Sequence, residues 1–421
     1  MESFRVRIPS LVFVVLCVVL FAPSALAQAT PEPAGWYAGD MHVHRSCGGS
    51  PESVSSMFSR MTPQNLAVMS QLADSGNGEV QNATTDLPLV NGQDDPISAI
   101  DRILHWDAEW HWDATYKQYP HQALGGHIVT LGLSSAQQIW QEYTFPILDW
   151  AHQHNGIAGF AHLQYLDGAG LPNSLTCCTP IEYPVEVALG AADFISEDVL
   201  DVNQPGAGAP MHSEPPLQAY YKLLNSGFRP GLAAGTDYPC NGSDNDGALG
   251  GLLTYVQVPN GQLTYRNWIQ GISSGRTVVS RNGHNEFLGL TVNGAYTPGD
   301  EIALPGAGNV TVTVQWTAQE NLSGTIELVQ NGTVVASRPA SAGLGASAIL
   351  TATVNFARSG WLVARRMAIN PLTNNYEHYV HTAAVFVIVD NAPIPAKPIR
   401  SPRPFGPPWR MSSAKIGMST E

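Results

Sequence analysis

Between Trp36 and about Arg281, short apolar runs alternate with stretches of helical period. "GWYAGDMHVH", "LAVMSQL", "GHIVTLGL", "GIAGFAHL", "ADFIS" and "GLAAGTD" read as strands. Ser50 and Pro51, as N-cap and first helical residue, predict a helix to about Arg60. Ser134–His154 is a helical stretch that Pro146 should break or kink. "PPLQAYYKLLNSG" and "TYRNWIQGISSG" are helices stopped by Gly227 and Gly275. Strand–helix alternation at this spacing predicts a parallel sheet, closed or nearly closed into a barrel, over residues 28–286.

After about Phe287 the helical periods stop. Runs such as "GNVTVTVQWTA", "GTIELVQNG" and "ASAILTATVNF" alternate between Gly and Asn turns, which predicts a small all-β sandwich over 287–390. From Asn391 to Glu421 the chain is Pro-rich and basic, too poor in apolar residues to pack, and is expected to be disordered. At the other end, Arg5 and Arg7 precede the apolar run Leu11–Phe21, and "SALA" at Ser24–Ala27 offers a small-residue cleavage site. Residues 1–27 are therefore expected to be a signal peptide, with the mature protein exported to the periplasm or outside. Integral membrane association after cleavage is not expected.

Composition sharpens this picture. Outside the leader, Cys47, Cys177, Cys178 and Cys240 make an even number, as an oxidising compartment favours. Cys47 and Cys240 each follow a candidate ligand closely and are placed to bridge near a site, although the pairing stays open. The chain carries a net charge of −14; without the leader (+1) and the tail (+4) the remainder stands at −19. Such a surface argues against nucleic-acid binding, which needs clustered Lys and Arg.

The candidate chemistry sits at strand ends. Side chains at i and i+2 of a strand share a side, so His42 and His44 of "GDMHVH" can face one metal ion at the carboxyl end, where βα barrels build their sites. His162 in "GFAHL" and Asp237 in "LAAGTD" end two further apolar strands, and three such endings imply convergence on one point. Imidazoles with carboxylates suit zinc first, then manganese or iron. In "HWDAEWHWD" the period is two: His105, Asp107, Glu109, His111 and Asp113 on one face, tryptophans on the other. That polar face is costly to bury without a cation; the alternative is an exposed edge strand. His127 precedes its apolar run, so strand position alone does not place it.

In this order, "GWYAGDMHVHRSCGG", "GGHIVTLGL", "GFAHL", "ALGAADFI", "LLNSGFRPGLAAGTD", "GRTVVS" and "GWLVARR…HTAAVFVIV" resemble the CehA/McbA (carbaryl-hydrolase-like) family. That family is a branch of the metallohydrolases resembling the polymerase-and-histidinol-phosphatase (PHP) domain. The resemblance spans nearly all of Trp36–Val389. It implies a distorted (β/α)7 barrel and the ligand set His42, His44, Glu109, His127, His162 and Asp237. One departure stands out: the second strand of PHP domains ends in an Asp-His pair, and here Ser70 and Gln71 occupy the place. One or two divalent ions are expected instead of three.

Metal-held hydroxide attacking a small-molecule ester, carbamate or phosphoester is the expected reaction. Glu109 or His111 is expected to move the proton. Asp40, Glu182 and Glu186 are candidates for orienting the imidazoles from behind, or else ordinary surface and capping carboxylates. Two other classes stay open: a secreted binding module on a degenerate barrel, recognising a glycan or partner, and a metal-free carbohydrate-active enzyme using paired carboxylates.

Overall fold

A computed structural model describes residues 30–76, 83–111, 126–139, 141, 143–161, 182–198, 216–240, 247–371, 374 and 376–395. Residues 1–29, where the signal peptide is expected, nearly all of the basic tail, Cys177, Cys178, Asp113 and His162 lie outside the described residues.

The first part of the chain runs β1 (Trp36–Val43), α1 (Val54–Met61), β2 (Val68–Asp74), α2 (Ala83–Asp86), β3 (Ile103–Trp110) and β4 (Ile128–Leu131). It continues through α3 (Phe145–Gln153), β5 (Ile157–Phe160), α4 (Tyr183–Leu189), β6 (Phe194–Asp198), α5 (Pro216–Asn225) and β7 (Gly231–Gly235). β8 (Leu253–Gln257), α6 (Tyr265–Ser273) and β9 (Thr277–Ser280) complete it. The strands lie in the order β9-β8-β1-β2-β3-β4-β5-β6-β7. The sheet is mixed, not parallel as alternation predicts: β4 runs antiparallel to both β3 and β5, and β8 antiparallel to β1. β8 also pairs antiparallel with β9; neighbours are parallel only when the chain crosses back over the sheet, and strand–helix alternation does not by itself tell a crossover from a reversal. β7 comes back to β1 at one end, where Val43 and Tyr238 form a parallel bridge.

Two helix boundaries differ from expectation for local reasons. Ser53, not Ser50, caps α1, because its Oγ accepts from the Ser56 N–H at 3.1 Å. Pro146 sits in the first turn of α3, where its missing N–H costs nothing, so it starts a helix instead of kinking one. α6 follows the sequence closely. Thr264 caps it through the Asn267 N–H, and its apolar face (Trp268, Ile269, Ile272) packs with Met41, Leu72, Val129, Phe194, Ala233 and Val256. These come from six strands, so one helix covers a core to which most of the sheet contributes. Each such side chain is worth about 1.5–3 kcal/mol of burial.

The second part is all strand: β10 (Glu286–Val292), β11 (Glu301–Leu304), β12 (Gly308–Ala318), β13 (Leu322–Gln330), β14 (Thr333–Ala342), β15 (Ala348–Phe356), β16 (Gly360–Ile369), β17 (Tyr376–Thr382) and β18 (Val385–Val389). β10-β12-β15 form a separate antiparallel sheet. β17 pairs with β9, so the sheet of the first part continues into β17, β16, β18 and β11, with β13 and β14 branching from β16. Trp316 and Val312 of the three-strand sheet share an apolar cluster with Trp361, Val363 and Ile326 of the larger one. Ile394 is buried in that cluster too, so packing extends a few residues past Asp390.

Candidate metal centre

Strand ends carry the chemistry. β3 is buried along its whole length, which its alternation alone leaves undecided: Trp106 and Trp110 join the large apolar cluster on one side, and Glu109 projects from the other. It is not an exposed edge strand. β1 delivers His42 at its end and His44 just past it, and the turn after β7 delivers Asp237.

These four residues meet. His42, His44, Glu109 and Asp237 are all buried, and one donor atom from each lies within 4.8 Å of every other. His42 Nε2 is 3.2 Å from Glu109 Oε2 and 3.3 Å from Asp237 Oδ1; His44 Nε2 is 2.8 and 3.3 Å from the same two atoms. Neighbouring ligands of a tetrahedral ion at about 2.1 Å stand roughly 3.4 Å apart, so the spacing suits a divalent cation. His44 Nε2 is buried and faces the Glu109 and Asp237 carboxylates, the position from which its lone pair can be offered to an ion. Two carboxylates bring two negative charges into a dry site, and burying them without a compensating cation is expensive.

The surroundings set each donor's direction. His44 Nδ1 lies 3.2 Å from the Leu72 carbonyl and donates to it, which leaves Nε2 to face the cluster. The Asp237 N–H donates to the His42 carbonyl at 2.8 Å, and the His44 N–H to the Tyr238 carbonyl at 2.6 Å, lacing the two strand ends together. Asp237 adopts a left-handed backbone (φ 52°), which aspartate tolerates better than most residues. Gly235 permits the approach: a Cβ there would stand 2.5 Å from His42 Cβ. The Cys47–Cys240 disulfide ties the same two loops just beyond their ligands. Arg45, paired with Asp86, anchors the first of them.

Asp40 lies behind the site but does not touch an imidazole. Its carboxylate accepts from the backbone N–H of His42 (3.3 Å), Thr236 (3.0 Å) and Gly250 (3.0 Å) and from Thr236 Oγ1 (2.6 Å). Complete burial pushes its pKa up, and these donors oppose the shift. It fixes the backbone of both ligand strands instead of orienting a ring. Glu182 accepts from Thr144 N–H (2.8 Å) and Oγ1 (2.6 Å) ahead of α3, and Glu186 sits within α4. Among the described contacts neither meets a cluster imidazole.

His127 joins through Glu109: its Nδ1 is 2.8 Å from Glu109 Oε1, the oxygen turned away from His42 and His44. His111, one residue past β3, stacks on His127 with ring centroids 4.5 Å apart. Its Nε2 stands 3.6 Å from Asp74 Oδ2. Burial works against the charge on Glu109, but His42 and His127 outweigh it and hold the carboxyl well below the usual range. Burial likewise opposes charge on His44, and Asp237 and Glu109 overcome it.

Asp74 is the residue missed in the sequence. It ends β2, is 1% exposed, and pairs in register with Glu109. Period-two reading of "SQLAD" from Ser70 reaches it, because Ser70, Leu72 and Asp74 share one face. Ser70 and Gln71 are engaged otherwise. Ser70 Oγ is 2.7 Å from Tyr265 Oη, and Gln71 Nε2 donates to the Val43 carbonyl.

No protein-family model and no curated protein matches the chain. Among solved structures it is similar to a two-domain protein containing a predicted PHP-like metal-dependent phosphoesterase from Bacteroides vulgatus. That match has 12% identity and a TM-score of 0.44, and covers 84% of this chain and 97% of that one. Two structures of the CARDB domain of PF1109 from Pyrococcus furiosus cover 25% of this chain each. The solution structure has 18% identity, 97% coverage of its own chain and a TM-score of 0.19. The crystal structure, with di-metal ions, has 17%, 90% and 0.16. At these identities and scores, the reading of this chain rests on its own residues.

Proposed function

We propose that this protein is an exported metal-dependent hydrolase acting on a small-molecule ester, carbamate or phosphoester. The observation that carries the reading is the buried convergence of His42, His44, Glu109 and Asp237 from three separated strand ends. In this reading the first part of the chain is a distorted β/α barrel of PHP-like type, with the CehA/McbA motifs, and the second is a β-sandwich. His42, His44, Glu109 and Asp237 hold one divalent ion, zinc before manganese or iron, and the resemblance assigns His127 and His162 to the ligand set of a second.

A divalent ion held by these residues would supply Lewis acidity and lower the pKa of a bound water to about 7. The chain's own groups do the rest. Both oxygens of Glu109 are taken, one facing His42 and His44 and the other His127. Glu109 therefore serves as ligand and not as proton carrier. His111, backed by Asp74 and stacked on His127, takes the proton-transfer role. Asp40 keeps the ligand strands in place.

Elemental analysis of the purified protein, with an assay panel of phosphoesters, carboxyl esters and carbamates, tests the reading. Stoichiometric transition metal and hydrolysis of one substrate class are expected, both lost in His42→Ala and Asp237→Ala. Metal retained in both variants refutes the ligand assignment.

A further inference from the structure

Away from the four-donor cluster, a cleft of about 500 Å3 opens where the segment before β8, the turn after β9 and strand β17 come together. Its volume falls in the range of small-molecule sites, roughly 300–1,000 Å3. None of the cluster's ligands lines it, although Gly250 on its wall also donates to Asp40.

Its chemistry is unusual for a gap between sheets. Six amide side chains line it: Gln64, Asn65, Asn282, Asn285, Gln319 and Asn370. Two are held in fixed orientation, since Asn282 Nδ2 donates to Glu286 at 2.9 Å and Asn370 Nδ2 to Glu377 at 2.8 Å. The charges present face opposite charges. Arg281, only 8% exposed, has its Nη1 4.0 Å from Glu377 Oε2, and His284 Nε2 lies 2.7 Å from Glu32. Tyr379 adds a flat wall, braced by the Arg366 guanidinium 4.5 Å from its ring centroid.

An amide both donates and accepts, as a hydroxyl does. Paired charges leave no net field to select an ion, and Pro63, Pro371 and Tyr379 beside the amides suit a ligand that carries both hydroxyls and C–H faces. We infer that this cleft is a second binding site, and that it takes a neutral polyhydroxylated molecule of mono- or disaccharide size. Amides already fixed by Glu286 and Glu377 lose little freedom on binding, which favours recognition by hydrogen bonds.

The test is calorimetric titration of the full chain with glucose, galactose, maltose and cellobiose, and with glucuronate and inorganic phosphate as charged probes. At least one neutral sugar is expected to bind. Asn285→Ala and Gln64→Ala, at the exposed rim, are each expected to weaken it by about tenfold, the effect of about 1.4 kcal/mol of lost hydrogen bonding, with an unchanged circular dichroism spectrum. Chelator treatment should leave sugar binding in place, which separates this site from the metal centre. The inference fails if no neutral sugar binds, if only glucuronate or phosphate does, if both variants bind as the parent does, or if chelation abolishes binding.

Discussion

At the scale of single residues, the site separates groups that hold from groups that act. Asp40 is the clearest holder: one buried carboxylate satisfies three backbone N–H groups and a hydroxyl spread over β1, the β7 turn and the segment before β8. Asp40→Asn keeps the shape but turns part of the acceptor into a donor facing donors. Leaving buried groups unmatched costs about 1–3 kcal/mol. Urea unfolding should show that loss, and metal titration should show weaker binding, because both ligand strands lose a common anchor. His111 is the contrasting case. His111→Ala should keep its full metal content by elemental analysis while turnover falls roughly 10²–10⁴-fold, the range for a lost proton-transfer group. Loss of metal together with turnover would instead make His111 a ligand.

Elements decide how such residues meet. β1 and β7 are far apart in sequence, and their ends are joined by two backbone hydrogen bonds, one bridge pair and one disulfide. The disulfide closes a loop of 193 residues, and cross-links of that kind are worth about 2–5 kcal/mol, chiefly by restricting the unfolded chain. It also restrains the two loops that carry His44 and Asp237. Cys47→Ala/Cys240→Ala, or reduction of the native protein, is therefore expected to lower the denaturation midpoint and to weaken metal affinity together. A drop in stability with unaltered affinity would show that the hydrogen bonds alone hold the ligand geometry.

Across the whole molecule, metal binding and folding are linked. An ion that binds the folded state alone stabilises it by RT ln(1 + [L]/Kd), or about 4 kcal/mol at a thousandfold excess over Kd. Chelation should thus lower the melting temperature of the parent and leave that of His42→Ala unmoved. Acid should act in the same direction. Imidazole must be neutral to bind metal, and Asp237 and Glu109 raise the pKa of His44, so affinity is expected to fall as pH drops, beginning above the ordinary histidine range, measured by equilibrium dialysis at stepped pH. Among the described residues no helix is long and apolar enough to cross a membrane; export and leader cleavage are checked by N-terminal sequencing of protein recovered from the host.

Much of this was legible in one dimension. Side-chain period reports which face a residue takes, so the HxH pair, the two faces of β3 and the strand ending at Asp237 were visible, although only packing showed that β3 is buried and not an exposed edge. The glycine stops Gly227 and Gly275 placed the ends of α5 and α6, because such signals act within a few residues. Other features depend on which strand lies beside which, and no local pattern encodes that. The reversal of β4, the register that brings Asp74 opposite Glu109, and the continuation of the sheet from β9 into β17 are of this kind. The tertiary structure also assigned Asp40 to backbone donors instead of a ring and took Glu182 away to Thr144, since a carboxylate's partner is set by what packing brings within 3 Å.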